Sequence, residues 1–159
     1  MERMTFMISW KICTLSDYKD DIERLFAENQ DHKHKDNYLK YPLFEYTEFA
    51  RLGFYKDRLV YYSAAVERPE YNGSIRVMTR HTRSRLFNWD KSEDIARGTE
   101  TLDTLTDYAL VLGYDDIWFS REESPAICKL MKKQSKHDWT IQQEEIPLGG
   151  VQWTLRYKP

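Results

Sequence analysis

Apolar and polar residues alternate near the start of the chain, over residues 6–13. One face carries the apolar side chains Phe6, Ile8, Trp10 and Ile12. A repeat of two residues is typical of a β-strand with one buried face, so the chain is predicted to begin with a strand. Apolar residues then recur at helical spacing as Tyr18, Ile22, Leu25 and Phe26. Ser16 precedes them at the N-cap position, and the pattern predicts a helix that ends near Asn29.

The stretch that follows is first polar and then aromatic. Rings at helical spacing predict a short second helix over residues 45–52. Apolar and β-branched residues lie on both sides of Lys56-Asp57, and this two-residue spacing predicts a hairpin of strands 52–55 and 58–66. A second turn leads into a strand over 74–80. Together these three strands are predicted to form an antiparallel meander.

Helical spacing returns in the middle of the chain, at Ile95, Leu102, Leu105, Ala109 and Leu112. Gly113 directly after this run is placed to close a helix in the left-handed conformation. Two starts are open for the helix. Asp90 and Glu93 have capping-box spacing, which would begin the helix early and place Gly98 inside it at a cost of about 1 kcal/mol. In the other alternative, Gly98 ends a loop and Thr99 caps the helix.

The remaining elements alternate between strand and helix. A buried-type strand is predicted over 116–120, Ser124-Pro125 opens a helix, and strands over 139–146 and 151–157 complete the chain. The order is β-α-(α)-β-β-β-α-β-α-β-β. A strand, the helix that crosses over and the next strand are predicted to give a parallel central pair with a right-handed connection. The predicted class is α+β, with a mixed and largely antiparallel sheet in one domain over 1–159.

Composition narrows the class of protein. The chain has 159 residues and a formal net charge of −2, so it offers no general excess of positive charge for nucleic acid. Its longest uncharged aliphatic run, residues 109–113, is far shorter than the ~20 residues that span a bilayer. Cys13 and Cys128 are too few for a disulfide scaffold, so we expect reduced thiols and a cytoplasmic protein. His32-Lys33-His34 lies among lysines, and no metal site is expected.

Two stretches carry a resemblance to a known family. They are YKDRLVYYS at residues 55–63 and LDTLTDYALVLGYDDIWF at residues 102–119, followed by a helix over 124–133. With the order of elements, they resemble the GNAT superfamily of N-acetyltransferases. The resemblance implies a GNAT fold, acetyl-CoA or another acyl-CoA as cofactor, and acyl transfer to a small-molecule or peptide amine.

The resemblance also implies a cofactor site. In that family a bulged strand hydrogen-bonds the pantetheine arm, and a glycine loop at a helix N-terminus binds the pyrophosphate through free N–H groups. Carried over, the cofactor-binding residues are Met78, Thr79, Gly98, Thr99 and Ser124. Two neighbours depart from the family's loop pattern: Ile95 stands where Gln or Arg is expected, and Glu100 where a small residue is expected.

The catalytic groups of the family are not matched. Acyl transfer requires a base that keeps the amine neutral and an acid that protonates the leaving thiolate. Leu130 or Met131 stands where the family often has a tyrosine that acts as this acid. Glu67 is the nearest base candidate, and the acid candidates elsewhere are Tyr61, Tyr62 and Tyr114. No catalytic pair is assigned.

An alternative function therefore remains. The chain would be a catalytically inactive GNAT-like binding or assembly module, acting through a local cluster of arginines at positions 76, 80, 83 and 85. The start of the helix after Trp89 distinguishes the two functions. Free amides at residues 98–101 favour the enzyme, whereas a helix that extends back to Ser92 leaves those amides bonded within it.

Overall fold

The computed structural model describes residues 8–29, 42–87, 89–121, 125–147 and 150–159. In chain order its strands and longer helices are β1 (Ile8–Cys13), α1 (Lys19–Glu28), β2 (Thr47–Tyr55), β3 (Arg58–Val66), β4 (Ile75–Arg83), α2 (Lys91–Val111), β5 (Ile117–Arg121), α3 (Pro125–Gln134), β6 (Thr140–Ile146) and β7 (Gly150–Tyr157). Ser124 and the segment His32-Lys33-His34 lie outside the described residues.

The seven strands form one mixed sheet in the order β1-β2-β3-β4-β5-β7-β6. β4 and β5 are parallel, while β1 pairs with β2, and β7 with both β5 and β6, in antiparallel fashion. The predicted α+β class, with its largely antiparallel sheet and parallel central pair, is confirmed. The chain divides into two compact units. The first unit contains Met1–Ala64 and Arg80–Asn88, and the second contains Ala65–Thr79 and Trp89–Pro159.

In the first unit, α1 covers one face of the strands. Ile22 and Leu25 of α1 are fully buried, and the ring of Phe26 meets the ring of Tyr62 edge-on at 5.6 Å. On another surface of the strands, Gly53 lies so close to Trp10 that a Cβ atom at Gly53 would be 2.9 Å from the indole. Only glycine allows that approach without a shift of the ring.

Two local predictions in this unit are wrong. Residues 47–52 belong to β2 and not to a helix, because alternate side chains there pack across the sheet; the guanidinium of Arg51, for example, lies 3.9 Å from the centroid of the Trp10 ring. Ser16 does not cap α1. It lies within a 3-10 turn, Leu15–Asp17, and α1 begins after that turn.

The predicted hairpin between β2 and β3 is confirmed. Lys56 has φ +47 and Asp57 has φ +64, so both residues are left-handed, as a two-residue type I′ turn requires. Lysine is unfavourable in this conformation, which explains why the sequence signal for the turn is weak.

In the second unit, α2 supplies much of the core. Leu102, Leu105 and Ala109 are fully buried, and Met131 of α3 is 2% exposed. Gly113 follows α2 with φ +95, so the predicted left-handed closure of the helix is confirmed. Asp103 of α2 accepts a hydrogen bond from the Ser135 hydroxyl at 2.5 Å, which ties α2 to the segment after α3.

Both cysteines are free thiols. Cys128 is buried on α3, and this burial raises the pKa of its thiol, as expected for a cysteine that packs in a core. None of the described helices combines the length and the apolar character needed to cross a membrane.

Candidate functional site

β4 and β5 begin as a parallel pair and then separate. Their ladder joins Ile75 and Arg76 to Ile117 and Trp118. Within the described part of the chain no further pair follows, although both strands continue. From Val77 onward the two strands are therefore unpaired with each other.

The backbone of β4 changes conformation where the pairing ends. Met78 has φ +58 and Arg80 has φ +51, and left-handed values at these residues interrupt the extended strand as a bulge does. Met78 and Thr79, two of the predicted cofactor-binding residues, thus lie where the family resemblance expects a bulged strand. A left-handed methionine carries an energetic cost of about 1 to 3 kcal/mol and marks a backbone that the surrounding structure holds in place.

Gly98 and Thr99 do not lie at the start of a helix, so the later of the two possible helix starts is wrong, and cofactor binding by these two residues stays a prediction. α2 begins at Lys91, and the Asp90 carboxylate caps it by accepting a hydrogen bond from the Glu93 N–H at 2.8 Å. Of the two starts that the sequence left open, the earlier one is correct. The N–H groups of Gly98 and Thr99 lie inside the helix, where each bonds to a carbonyl four residues earlier.

The side-chain contacts of this stretch are structural. A Cβ atom at Gly98 would lie 3.7 Å from the terminal methyl of Met78 and 3.9 Å from that of Met131. The Thr99 hydroxyl donates to the Ile95 carbonyl at 2.8 Å and lies 3.3 Å from Oε1 of Gln134 on α3. The middle of α2 is therefore packed against β4 and α3.

The true start of α2 is acidic. Its capping residue Asp90 is followed in the first turn by Glu93 and Asp94. These carboxylates complement the positive end of the helix dipole, and Asp90 occupies the Glu93 N–H that an anion at this helix end would bind. A pyrophosphate at this helix end would be repelled by these carboxylates.

The predicted base, Glu67, and one predicted acid, Tyr114, are hydrogen-bonded to each other near the beginning of β4 and β5, away from the point where these strands separate. The Tyr114 hydroxyl donates to the Glu67 carboxylate at 2.6 Å. Glu67 follows β3 and Tyr114 precedes β5, so the pair lies near the residues where β4 and β5 begin and are still paired. Neither side chain lies at the point where the strands separate.

The other two tyrosines belong to the first unit. The Tyr61 hydroxyl lies 3.2 Å from Nδ1 of His81. Tyr62 is fully buried, and burial raises the pKa of its hydroxyl well above the ordinary value. A tyrosine with a raised pKa is a poorer proton donor, so Tyr62 is unsuited to the role of general acid.

A polar chain that the sequence did not single out crosses from β4 to β5. Nη2 of Arg76 donates to the Ser120 hydroxyl at 2.9 Å, and that hydroxyl donates to Oε1 of Gln152 on β7 at 2.8 Å. The Arg76 guanidinium also lies 5.1 Å from the centroid of the Trp118 ring. In the sequence, Arg76 is only one of several arginines, and alternation along β4 and β5 is the signal that places Arg76, Trp118 and Ser120 on one face.

Comparison with solved structures gives the same architecture over nearly the whole chain. An N-acetyltransferase from Staphylococcus aureus Mu50 is 14% identical with a TM-score of 0.64, covering 96% of this chain and 97% of its own. An acyl-CoA N-acyltransferase from Pseudomonas aeruginosa is 12% identical with a TM-score of 0.64, covering 94% of this chain and 99% of its own. A probable acetyltransferase of the GNAT family from Chromobacterium violaceum is 13% identical with a TM-score of 0.54, covering 96% of this chain and 87% of its own.

Comparison of the sequence with family models and with curated proteins identifies no relative of this chain. No family model matches the chain, and no curated protein matches it. The strand order, the parallel β4–β5 pair and the structural similarity agree with the resemblance that the sequence indicated. This chain has the fold of the GNAT acyl-CoA N-acyltransferases.

Proposed function

We propose that the protein is a cytoplasmic N-acyltransferase that takes an acyl group, such as acetyl, from an acyl-CoA and transfers it to an amine. One observation carries the proposal. β4 and β5 stop pairing after Arg76 and Trp118, and Met78 is left-handed directly beyond that point. Where the interrupted strand β4 no longer pairs with β5, an extended arm can bond to the β4 backbone as a further strand does.

The residues fit one part of a coenzyme A better than the other. Met78 and Thr79 would hold the pantetheine arm, and the bound acyl-CoA would supply the thioester that the amine attacks. The acidic start of α2 does not fit the pyrophosphate, because Asp90 already accepts from the Glu93 N–H. We therefore assign no phosphate contact to α2, and the phosphates of a bound acyl-CoA would extend beyond this helix end.

A second function is favoured by that same helix end. A GNAT-like module without acyl transfer needs no phosphate site, and an acidic, self-capped α2 is what such a module would have. The two functions differ in whether the folded protein binds acetyl-CoA.

The test is thermal unfolding with and without acetyl-CoA. A ligand that binds only the folded state, at 100 times its dissociation constant, adds about 2.7 kcal/mol of stability. For a chain of this length that corresponds to a rise in Tm of about 5 to 10 °C. Transfer to a panel of primary amines is followed in parallel by release of free thiol. No rise in Tm at millimolar acetyl-CoA contradicts the enzyme and favours the module.

A pair of variants tests whether binding depends on the backbone at Met78. Glycine adopts φ +58 without strain, so Met78→Gly keeps the interruption and should still bind acetyl-CoA. Valine is β-branched and opposes a left-handed backbone, so Met78→Val should weaken binding at least tenfold. Equal dissociation constants of acetyl-CoA for the two variants would show that the interruption of β4 is not part of the binding site.

A further inference from the structure

Arg76 is a half-buried cation that lacks an acidic partner among the described residues. Its side chain donates a hydrogen bond to Ser120 and lies over the Trp118 ring. Arg156 lies over the same ring, at 5.5 Å from its centroid, and provides an internal comparison. Arg156 bonds to Asp116 at 2.6 Å and to Glu144 at 3.4 Å. Of the two guanidiniums on this indole, Arg156 is neutralised by carboxylates, whereas Arg76 has no carboxylate partner within the described ranges.

An unneutralised guanidinium in this position is costly unless something pairs with it. Removal of charge from water is unfavourable without a counter-ion, and stacking on an indole offsets only a small part of that cost. Arginine carries five N–H donors in a planar fork, and the Ser120 hydroxyl occupies one of them. The remaining geometry matches a planar anion that accepts two parallel hydrogen bonds.

The surroundings of Arg76 are polar and buried. Ser120 is 7% exposed and Gln152 is 5% exposed. Thr154, which is paired with Ser120 in the β5–β7 ladder, is fully buried, and its hydroxyl has no hydrogen-bond partner in the described part of the chain. A buried hydroxyl without a partner is unfavourable in a finished core and is expected where a polar ligand group arrives.

The position of this polar surface relates it to acyl transfer. Arg76 and Trp118 form the last pair of the β4–β5 ladder, and Ser120 lies on β5 beyond the point of separation. All of these residues belong to the second unit. This polar surface therefore borders the separation of the strands, where the proposed reaction would take place.

We propose that Arg76, with Ser120 beside it, binds the carboxylate of the acyl acceptor, so that the acceptor is a small amine that also carries a carboxylate. This inference rests on the proposed function and names its substrate class. A carboxylate fits better than a phosphate, because Arg156 on the same indole is paired with Asp116 and Glu144, and these carboxylates would repel a dianion more strongly than a monoanion.

Binding is tested first without any acyl donor. The probes are glycine, β-alanine and γ-aminobutyrate, each compared with its primary amide, which keeps the amine and loses the charge. At millimolar concentration at least one acid should raise the Tm of the wild-type protein, and its amide should not. Arg76→Gln should abolish this rise. Arg156→Gln is the matched control, since it removes a guanidinium from the same indole. The Tm of this variant without ligand should fall, because Asp116 and Glu144 lose their partner. The acid should still raise that Tm, although by less than in the wild type, since the two freed carboxylates repel it.

Kinetics then separate binding from chemistry. With acetyl-CoA as donor, kcat/KM for the preferred acid should exceed that for its amide about tenfold or more, as expected for a hydrogen-bonded charge. Arg76→Gln should raise KM for the acid and leave kcat close to wild type. The ratio of kcat/KM for the acid to kcat/KM for its amide should therefore fall to about one. Arg76→Lys keeps the charge without the fork and should restore only part of the preference.

The outcomes distinguish this inference from the proposed function. Acetyl transfer with equal kcat/KM for acids and amides overturns the acceptor site and leaves the transferase intact. Stabilisation by an acid that Arg76→Gln abolishes, without acetyl transfer to any amine, supports the site and contradicts the transferase. Stabilisation by coenzyme A that Arg76→Gln abolishes, with no response to any acid, overturns the inference and assigns Arg76 to the donor.

Discussion

The separation of β4 from β5 and the start of α2 belong to the same unit and differ in how well they suit the coenzyme of the proposed function. At the separation, β4 and β5 stop pairing with each other, and Met78 holds a left-handed backbone in β4. At the helix start, the chain has already used the position where an anion would bind, because Asp90 caps α2.

A fold and a ligand site are therefore specified by separate features. The order of elements along the chain and the parallel central pair follow from apolar periodicity and from the rules for strand–helix–strand connections. Phosphate binding at a helix end depends on a few local side chains, and here those side chains are carboxylates. The comparison can be tested by changing each region while the other stays intact.

The largest effect is expected at Gly98, inside α2. Gly98→Glu would place a carboxylate between the methyl groups of Met78 and Met131, in a buried position. An unpaired buried charge should lower the free energy of unfolding by about 3 to 5 kcal/mol, measured by urea denaturation. If Gly98 were at a helix start that faces an open cleft, the same substitution would leave the free energy of unfolding nearly unchanged.

For the control substitution at the same position, the expected change in the free energy of unfolding has the opposite sign. A Cβ atom at Gly98 makes only ordinary contacts, at 3.7 Å and beyond, so alanine fits. Gly98→Ala should raise the free energy of unfolding by up to about 1 kcal/mol through helix propensity. Destabilisation by alanine would contradict the placement of Gly98 in the helix interior.

Gly98 also shows how far the sequence could predict the site. The apolar stripe of α2 and the closing Gly113 were readable because they repeat at helical spacing. The start of α2 was not, since two caps with similar local signals competed. The Asp90 cap prevails because the longer helix packs Gly98 against Met78 and Met131, and such tertiary contacts are invisible to local spacing.

The errors elsewhere have the same physical origin. Rings at helical spacing predicted a helix over residues 45–52, but Arg51 packs on Trp10 across two strands, a contact distant in sequence. Met78 gives no signal for a left-handed backbone, because methionine rarely adopts one. Arg76 became distinct only when the structure showed which acids pair with Arg156.

An intermediate effect is expected at the start of α2. The variant Asp90→Asn/Glu93→Gln/Asp94→Asn removes three negative charges and keeps a capping acceptor, since asparagine caps about as well as aspartate. Affinity for acetyl-CoA should rise by about 1 to 2 kcal/mol at low ionic strength, and the gain should shrink as salt is added. Isothermal titration at two salt concentrations measures both.

The control for this variant is a ligand. S-acetylpantetheine keeps the thioester and the arm but lacks the pyrophosphate, so its affinity should be the same for the wild type and the neutralised variant. An equal gain for both ligands would show that the three carboxylates act on the fold or on the arm and not on the phosphates.

The smallest effect is expected in the first unit, at the turn between β2 and β3. Lys56 and Asp57 are left-handed there, as Met78 is in β4, but the turn has no part in the proposed site. Lys56→Asn/Asp57→Gly supplies the pair that a type I′ turn prefers and should raise the free energy of unfolding by about 0.5 kcal/mol. The dissociation constant of acetyl-CoA should not change. If this variant altered binding as Met78→Val is expected to do, the effect of Met78→Val would reflect general stability, and the left-handed backbone of β4 would lose its special relation to the coenzyme.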